Sequence, residues 1–337
     1  MTSVAAATAA VDYDHFVTEP DGSKLPQSSA VASIQRMLTD LDVAPGQRVL
    51  EIGTGSGYTT ALLSRLVGAA GSVHSVEVFA DLVPRAQERL TRAGVANATV
   101  TCGDGYAGYA VGGPYDRVIA WATPHLIPAP WTEQIGDDAV VVAPVKIAPL
   151  ATANAIATIT VTGRTPAVTS IRPGSYIEMH PEPVTNFALP IRYVDASYAP
   201  GVDEPWWISS TDLHDSPADA RKRLDQLRSS ATTEPTMLHP DEPFQDLAAW
   251  LYATRPPQLA TAGLSDRYRA IGATTPGSSA FLTPDELVTC SGDGEAPAVL
   301  SAWVNAWRAA GRPDWNDVTG SLETGDDGWT IRARLTR

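Results

Sequence analysis

Apolar and polar positions along this chain follow two periods, and the switches between them mark its elements. In the first half, 140–145 is a continuous, largely β-branched apolar run, the signature of a fully buried strand, and shorter segments at 49–52, 73–77, 98–101 and 117–121 read as strands beside it. Stretches with helical spacing stand between them. Residues 59–67 form one, and 81–93 another, with Leu82, Ala86 and Leu90 on one face. Gly68, Gly71 and Gly94 stop these helices. Upstream, Val31, Ile34, Met37, Leu38 and Leu41 fall on one face of a further helix. The strand–helix–strand alternation predicts an α/β fold, a mainly parallel, doubly wound, Rossmann-like sheet. Residues 1–22 carry no comparable pattern and are expected to be a flexible arm, with Asp12-Tyr13-Asp14-His15-Phe16 able to dock.

Past residue 150 the pattern changes. Residues 153–161 and 167–171 are β-prone runs joined by Thr162-Gly163-Arg164-Thr165-Pro166, which predicts an antiparallel pair closing the sheet. Residues 176–179 add one short strand. His180-Pro181-Glu182-Pro183 reads as a domain junction. Beyond it, 217–227 and 243–252 have helical patterns. In 297–310, Leu300, Trp303, Val304 and Trp307 follow i, i+3, i+4, i+7, and 329–335 alternates as a half-buried strand. The expected organisation is an arm over 1–22, an α/β domain over 23–184 and a smaller α+β domain over 185–337. Seven of the nine tryptophans lie in that last part, where core is the more frequent role of such residues than ligand platform.

Composition narrows the classes. With 44% hydrophobic and 18% charged residues the chain is globular, and a net charge of −14 argues against nucleic-acid and anionic-membrane partners. Cys102 and Cys290 stand far apart with no metal-ligand spacing, so no metal site and no disulfide framework is expected. Residues 1–10 lack the pattern of a signal peptide, and no run approaches the roughly 18 apolar residues of a membrane span. A cytoplasmic location is the expectation.

The chemistry concentrates in Val49-Leu50-Glu51-Ile52-Gly53-Thr54-Gly55-Ser56-Gly57-Tyr58. Glycines at alternate positions between a buried strand and a helix are needed where backbone takes positive φ or lies against a ligand. A dinucleotide fingerprint is GxGxxG, with a pyrophosphate on the helix N-terminus; here the spacing is GxGxG and an acid, Glu51, precedes it. A carboxylate repels a pyrophosphate and favours a cation. The motif therefore points to S-adenosylmethionine, which carries a sulfonium and an ammonium and no phosphate, with Glu51, Gly53, Thr54, Gly55 and Gly57 as candidate contacts. The bland alternative is a plain strand-to-helix turn. Glu77, at the end of the second strand, stands where such folds hold ribose hydroxyls; the alternative is a solvated loop charge. Gly103-Asp104-Gly105 follows the third strand, as a backbone and carboxylate pair reading a base edge would. Ser28 and Ser29 precede the first patterned helix and read as an N-cap or as substrate-side hydroxyls, roles that are compatible. Ala122-Thr123-Pro124 opens an irregular loop at the end of the fourth strand.

With these segments in view, residues 24 to about 180 resemble the protein-L-isoaspartate O-methyltransferase family. The resemblance rests on Arg48 to Tyr58, Val76-Glu77, Gly103-Asp104-Gly105, Pro114-Tyr115-Asp116-Arg117-Val118-Ile119, the 124–128 loop and the 140–145 strand. It implies S-adenosylmethionine as cofactor, with S-adenosylhomocysteine as product. Gly53, Gly55 and Gly57 would wrap the methionine and ribose parts, Glu77 would hold the ribose, and Asp104 and Gly105 the adenine. Ala122, Thr123 and Pro124 would receive the acceptor carboxylate, and Ser28 or Ser29 would orient it. The family has its hydroxyl in an Ile-Ser-x-Pro setting; Pro26-Gln27-Ser28-Ser29-Ala30-Val31 departs from it, which bears on the acceptor. The extension is a second departure. Longer relatives resemble tailoring enzymes of ribosomally made peptides, which methylate one aspartate of a constrained precursor and lead to an aspartimide. The resemblance thus implies methylation of an aspartate or isoaspartate carboxylate of a peptide or protein. The alternatives are general isoaspartate repair, small-molecule O-methylation, and a cofactor-binding interaction module without turnover.

Overall fold

The computed structural model describes residues 2–19, 21–25, 29–163, 165–184, 189–199, 205–265, 267–291 and 294–336. Its helices are α1 (Val4–Ala10), α2 (Tyr13–Val17), α3 (Val31–Leu41), α4 (Tyr58–Val67), α5 (Leu82–Arg92), α6 (Ala129–Glu133), α7 (Pro217–Ser230), α8 (Phe244–Thr254) and α9 (Ala296–Ala309). The strands of the first half are β1 (Arg48–Ile52), β2 (Ser72–Glu77), β3 (Ala98–Cys102), β4 (Tyr115–Ala120), β5 (Ile127–Pro128), β6 (Ile135–Lys146), β7 (Asn154–Thr162) and β8 (Thr165–Pro173). The second half adds β9 (Ala196–Tyr198), β10 (Trp206–Ser210), β11 (Thr232–Pro235), β12 (Leu259–Leu264), β13 (Arg267–Thr275), β14 (Ser278–Leu282), β15 (Glu286–Ser291), β16 (Val318–Gly325) and β17 (Gly328–Leu335).

The first sheet runs β3-β2-β1-β4-β6-β7-β8, parallel from β3 to β6 and antiparallel in β7 and β8. This is the Rossmann-like sheet expected, with the antiparallel pair at its edge. Successive residues of a strand face opposite sides, and here they enter two different cores. Val49, Ile119 and Val142 pack with α1 to α5, whereas Leu50, Val118 and Val141 pack with α6, α8, α9 and β17.

Three expectations change. The segment expected as a flexible arm holds two helices, capped by Ser3 and Asp12, with Ala7, Val11, Phe16 and Val17 buried. His15 Nε2 lies 3.0 Å from the Arg89 carbonyl and Glu19 pairs with Arg89, which pins the segment to α5. The expected strand at 176–179 is a single bridge between Thr123 and Glu178. And the second half does not fold apart from the first. A seven-stranded antiparallel sheet, β11-β15-β14-β13-β12-β10-β9, carries α7 on one face, while its other face and α8 and α9 join the core of the first sheet. The β16–β17 hairpin adds to β5 inside the first half: Ile127 pairs with Trp329 and Pro128 with Gly328. Only glycine allows that approach, because a Cβ on Gly328 would stand 2.0 Å from the Ile127 carbonyl. The boundary at 184/185 is therefore one of sequence pattern, and the hydrophobic core crosses it. Trp307 is fully buried in that core and Trp250, Trp303, Trp315 and Trp329 pack against it, the core role expected of them.

One ion-pair cluster ties α8's approach to α9. Glu242 is enclosed and accepts hydrogen bonds from Arg308 (2.6 and 2.7 Å) and the His239 amide, with Arg312 at 3.1 Å. The Arg308 hydrogen bonds hold its carboxyl down to about 2, from an ordinary 4.5. A depressed carboxyl stabilises the fold above its unfolded value and loses that contribution as pH falls through the folded value. The Glu242→Gln protein should therefore be about 2 kcal/mol less stable than wild type at pH 7. The gap should close between pH 4.5 and 2, as read by denaturant unfolding.

Candidate active site

The carboxyl ends of β1, β2, β3 and β4 meet at one cleft, beside the point where strand order reverses between β1 and β4. Open α/β sheets place ligands at that point. The β1–α4 turn is built by positive φ at Gly53 (92°) and Gly55 (52°). Both line the cleft, with Ser29, Ile52, Glu77, Phe79, Gly105, Trp121 and Ala122, and a strap from Ile177 to His180 closes its far wall. Gly105 lets that strap approach: a Cβ there would stand 2.6 Å from Ile52 Cγ2 and 3.2 Å from Met179 Sδ.

Glu77 is almost fully buried, and its oxygens accept the Gly55 amide (2.8 Å) and the Phe79 amide (3.0 Å). Each carboxylate oxygen has a second lone pair free for a ligand hydroxyl. The charged side chains among the described lining residues are Glu77, Glu178 and Glu182, and no lysine or arginine is among those described residues. This donor set suits a cationic cofactor with ribose hydroxyls and disfavours a pyrophosphate. The residues thus fit S-adenosylmethionine.

The other expected contacts divide. Glu51 does not face the cleft. It is fully buried and accepts hydrogen bonds from the Thr59, Thr60 and Ser75 hydroxyls and from Trp121 Nε1 (2.9 Å). Burial pushes its carboxyl up, against those four donors. The charge argument made for Glu51 belongs to Glu77 instead. Thr54 is buried and exchanges a hydrogen bond with Ser75 (2.6 Å), so it braces the turn. Gly57 is the N-cap of α4 and takes the left-handed backbone (φ 85°), and a Cβ there would make only ordinary contact with Ala86 and Leu90 of α5 at 3.4 Å, so glycine serves the turn's conformation. Gly103 and Asp104 lie just outside the lining set. Asp104 Oδ1 accepts the Tyr106 amide (2.9 Å) and turns the chain so that Gly105 reaches the cleft.

Of the residues expected to meet the acceptor, Ser29 lines the cleft while Ala30, with no side-chain cap, starts α3, so Ser29 is not the helix cap. Ser28 lies outside the described residues. Ala122 lines the cleft. Thr123 is buried, donates to the Tyr176 carbonyl and pairs through its backbone with Ile177 and Met179, so it holds the strap; Pro124 follows it away from the cleft.

Sequence reasoning missed the polar cluster behind the strap. Lys146, at the end of β6, is buried and ion-paired with Glu178. Glu178 also accepts the Ile191 (2.9 Å) and Arg192 (3.2 Å) amides, which ties the second half to the rim of the site. The Tyr106 hydroxyl lies 3.0 Å from His125 Nδ1 and donates to the Met179 carbonyl. Burial lowers both His125 and His180, so these imidazoles are neutral at pH 7. The available signal was the isolated acid in Tyr176-Ile177-Glu178-Met179, flanked by apolar residues.

Residues 2–160 match the family described as protein-L-isoaspartate(D-aspartate) O-methyltransferase. A protein-L-isoaspartate O-methyltransferase of Methanococcus maripaludis strain C5 is 37% identical over 131 residues, 39% of this chain and 62% of that protein. One of Methanoculleus marisnigri is 43% identical over 125 residues, 37% of this chain and 54% of that one. The match thus spans between about half and three fifths of these relatives' length. A solved protein-L-isoaspartate O-methyltransferase aligns over 100% of this chain and 96% of its own, at 17% identity and a TM-score of 0.49.

Proposed function

We propose that this chain, whose residues 2–160 match the protein-L-isoaspartate O-methyltransferase family, is an S-adenosylmethionine-dependent carboxyl O-methyltransferase of a peptide or protein aspartate or isoaspartate. The observation that carries the proposal is the cleft itself. Among its described lining residues the charged side chains are carboxylates, and Gly53, Gly55, Glu77, Ser29 and Ala122 share it. The cofactor supplies an electrophilic methyl on its sulfonium. Glu77 accepts the ribose hydroxyls and keeps the glycine turn in place. An acceptor carboxylate is ionised at neutral pH and needs no general base. The task left to the chain is alignment of oxygen, methyl and sulfur in line, and proximity supplies much of such a rate. The Ser29 hydroxyl donates to one acceptor oxygen and leaves the other to attack. The product ester then loses methanol as a neighbouring amide nitrogen closes a succinimide.

The strap and the Glu178 bonds to residues 191–192 favour a tailoring role over general repair, because they build the second half into the acceptor rim. In this reading residues 185–337 grip a ribosomally made, constrained peptide and the ester ends as an aspartimide, in the cytoplasm. The experiment is incubation of the full chain with S-adenosylmethionine and isoaspartyl, aspartyl and macrocyclic peptides. Gain of one methyl followed by loss of methanol supports the activity. Turnover confined to macrocyclic peptides supports tailoring, and equal turnover of unrelated isoaspartyl peptides supports repair. Absence of transfer to all of them defeats the proposal.

Ser29→Ala should lower turnover about 10- to 100-fold, the worth of one hydrogen bond to a charged group. Cofactor affinity, read by calorimetry, should stay within about twofold, because the proposed role of Ser29 is toward the acceptor and not toward the ribose that Glu77 holds.

A further inference from the structure

The acceptor proposed for this cleft is an anion, yet the charged side chains among the described lining residues are the acids Glu77, Glu178 and Glu182. Inside the cleft the acceptor's charge is met by the cofactor's sulfonium; at the rim the chain itself must supply a cation. Lys146 does not, because it is buried and taken up by Glu178. Arg192 is different. It is exposed, and its amide lies 3.2 Å from Glu178 Oε2, which places it at the outer edge of the strap. Its charge acts on the Tyr106 hydroxyl, His125, Lys146 and His180, the groups gathered around that edge. The Tyr106 hydroxyl that the guanidinium approaches is neutral, since burial pushes it up. A guanidinium has five N–H donors in a rigid fork, so one hydroxyl leaves most of them open. Glu178 is itself engaged by Lys146 and by the Ile191 and Arg192 amides. Ile177 of the strap and Ile191 beside Arg192 are 39% and 41% exposed, large apolar side chains at the same rim. They offer contact to a peptide chain, which a small free acid does not need.

We propose that Arg192 binds a second carboxylate of the acceptor peptide, on an acidic residue next to the methylated one, and so sets which aspartate is chosen. The inference rests on the carboxyl-methyltransferase reading of the cleft. A guanidinium forked onto the acceptor carboxylate itself would quench the oxygen that attacks. The place of Arg192 outside the described lining residues suits a flanking charge instead.

The test uses the full chain and reads binding apart from turnover. Capped peptides containing glutamyl-aspartyl-glycine, glutaminyl-aspartyl-glycine or lysyl-aspartyl-glycine, and the same set with the variable residue after the aspartate, are titrated by calorimetry with S-adenosylhomocysteine present. In one of the two orders the Glu peptide should bind about three- to tenfold more tightly than its Gln counterpart, the worth of one exposed charge-assisted contact. Arg192→Met should erase that difference, and Arg192→Glu should invert it in favour of the Lys peptide. Both variants should bind S-adenosylhomocysteine as wild type does. Methyl transfer to the same peptides should follow the same order in KM. If affinity follows charge and no methyl is transferred, the methyltransferase reading fails while Arg192 keeps its ligand. If wild type methylates Glu and Gln peptides with equal KM, binds them equally or not at all, or if Arg192→Met keeps the difference, the assignment of Arg192 is overturned.

Discussion

Glu77→Ala should weaken S-adenosylmethionine binding by about 2–4 kcal/mol, roughly 30- to 1000-fold in Kd. Two losses add. The ligand's ribose loses its acceptor. The Gly55 and Phe79 amides also lose theirs, so the glycine turn and the residues after β2 are no longer held in the geometry the ligand meets. Hydrogen bonds to a charged group are worth about 1.5–3 kcal/mol each, and the free protein recovers part by solvating the amides. Glu77→Gln should fall between, because one amide oxygen remains an acceptor while the NH₂ opposes a backbone N–H. Glu51→Gln is the contrast. Its partners are all side chains of the protein, so its effect should appear in the unfolding midpoint and leave Kd nearly unchanged. Calorimetry on the three variants separates these roles, and an unaltered Kd in Glu77→Ala removes the ribose assignment.

The two acids also mark what a sequence can tell about this site. Strand–helix alternation and the glycine spacing located the cleft, and α4 falls at 58–67, where the pattern put it. Both acids end or nearly end parallel strands, and one residue of register decides which way each points. The register of β1 turns Glu51 inward onto Thr59, Thr60, Ser75 and Trp121, partners supplied by four separate positions, and no local pattern encodes that convergence. The strap at 176–180 was illegible for a related reason: it is held by Thr123 and Lys146 through tertiary contacts and not by a ladder of its own. The second sheet escaped the periodicity test because β12 and β14 are buried on both faces and built from small residues. Alternation vanishes when neither face is wet. At Gly272 the strands lie so close that a Cβ would stand 1.9 Å from the Ala280 carbonyl, a reason for small residues that only the paired strands reveal. The domain boundary looked clean because composition shifts there, yet Leu50, Val118 and Val141 find their cover in residues more than a hundred positions later.

Lys146→Met should be the most damaging single change behind the strap. The ammonium is 3% exposed, with Glu178 as its ion-pair partner, Asn154 at 3.5 Å and the Tyr193 ring beneath it at 5.8 Å. Burial alone pulls the lysine down and Glu178 pulls it back up, so the pair survives because both members are present. Removing one partner of a buried pair costs about 3–5 kcal/mol, since the other charge stays behind uncompensated. The Ile191 and Arg192 amides still reach Glu178, which puts the expected loss of stability at the low end, about 3 kcal/mol. The functional consequence follows from position. A bare carboxylate lining the cleft opposes the entry of an acceptor carboxylate, so KM for a peptide should rise more than kcat falls, with cofactor Kd little changed. The double variant Lys146→Met/Glu178→Gln removes the stranded charge and should recover more than half of the lost stability, a coupling that a double-mutant cycle reads directly. Strict additivity of the two changes would mean that the pair is not coupled and that the strap is held by Thr123 and the backbone alone.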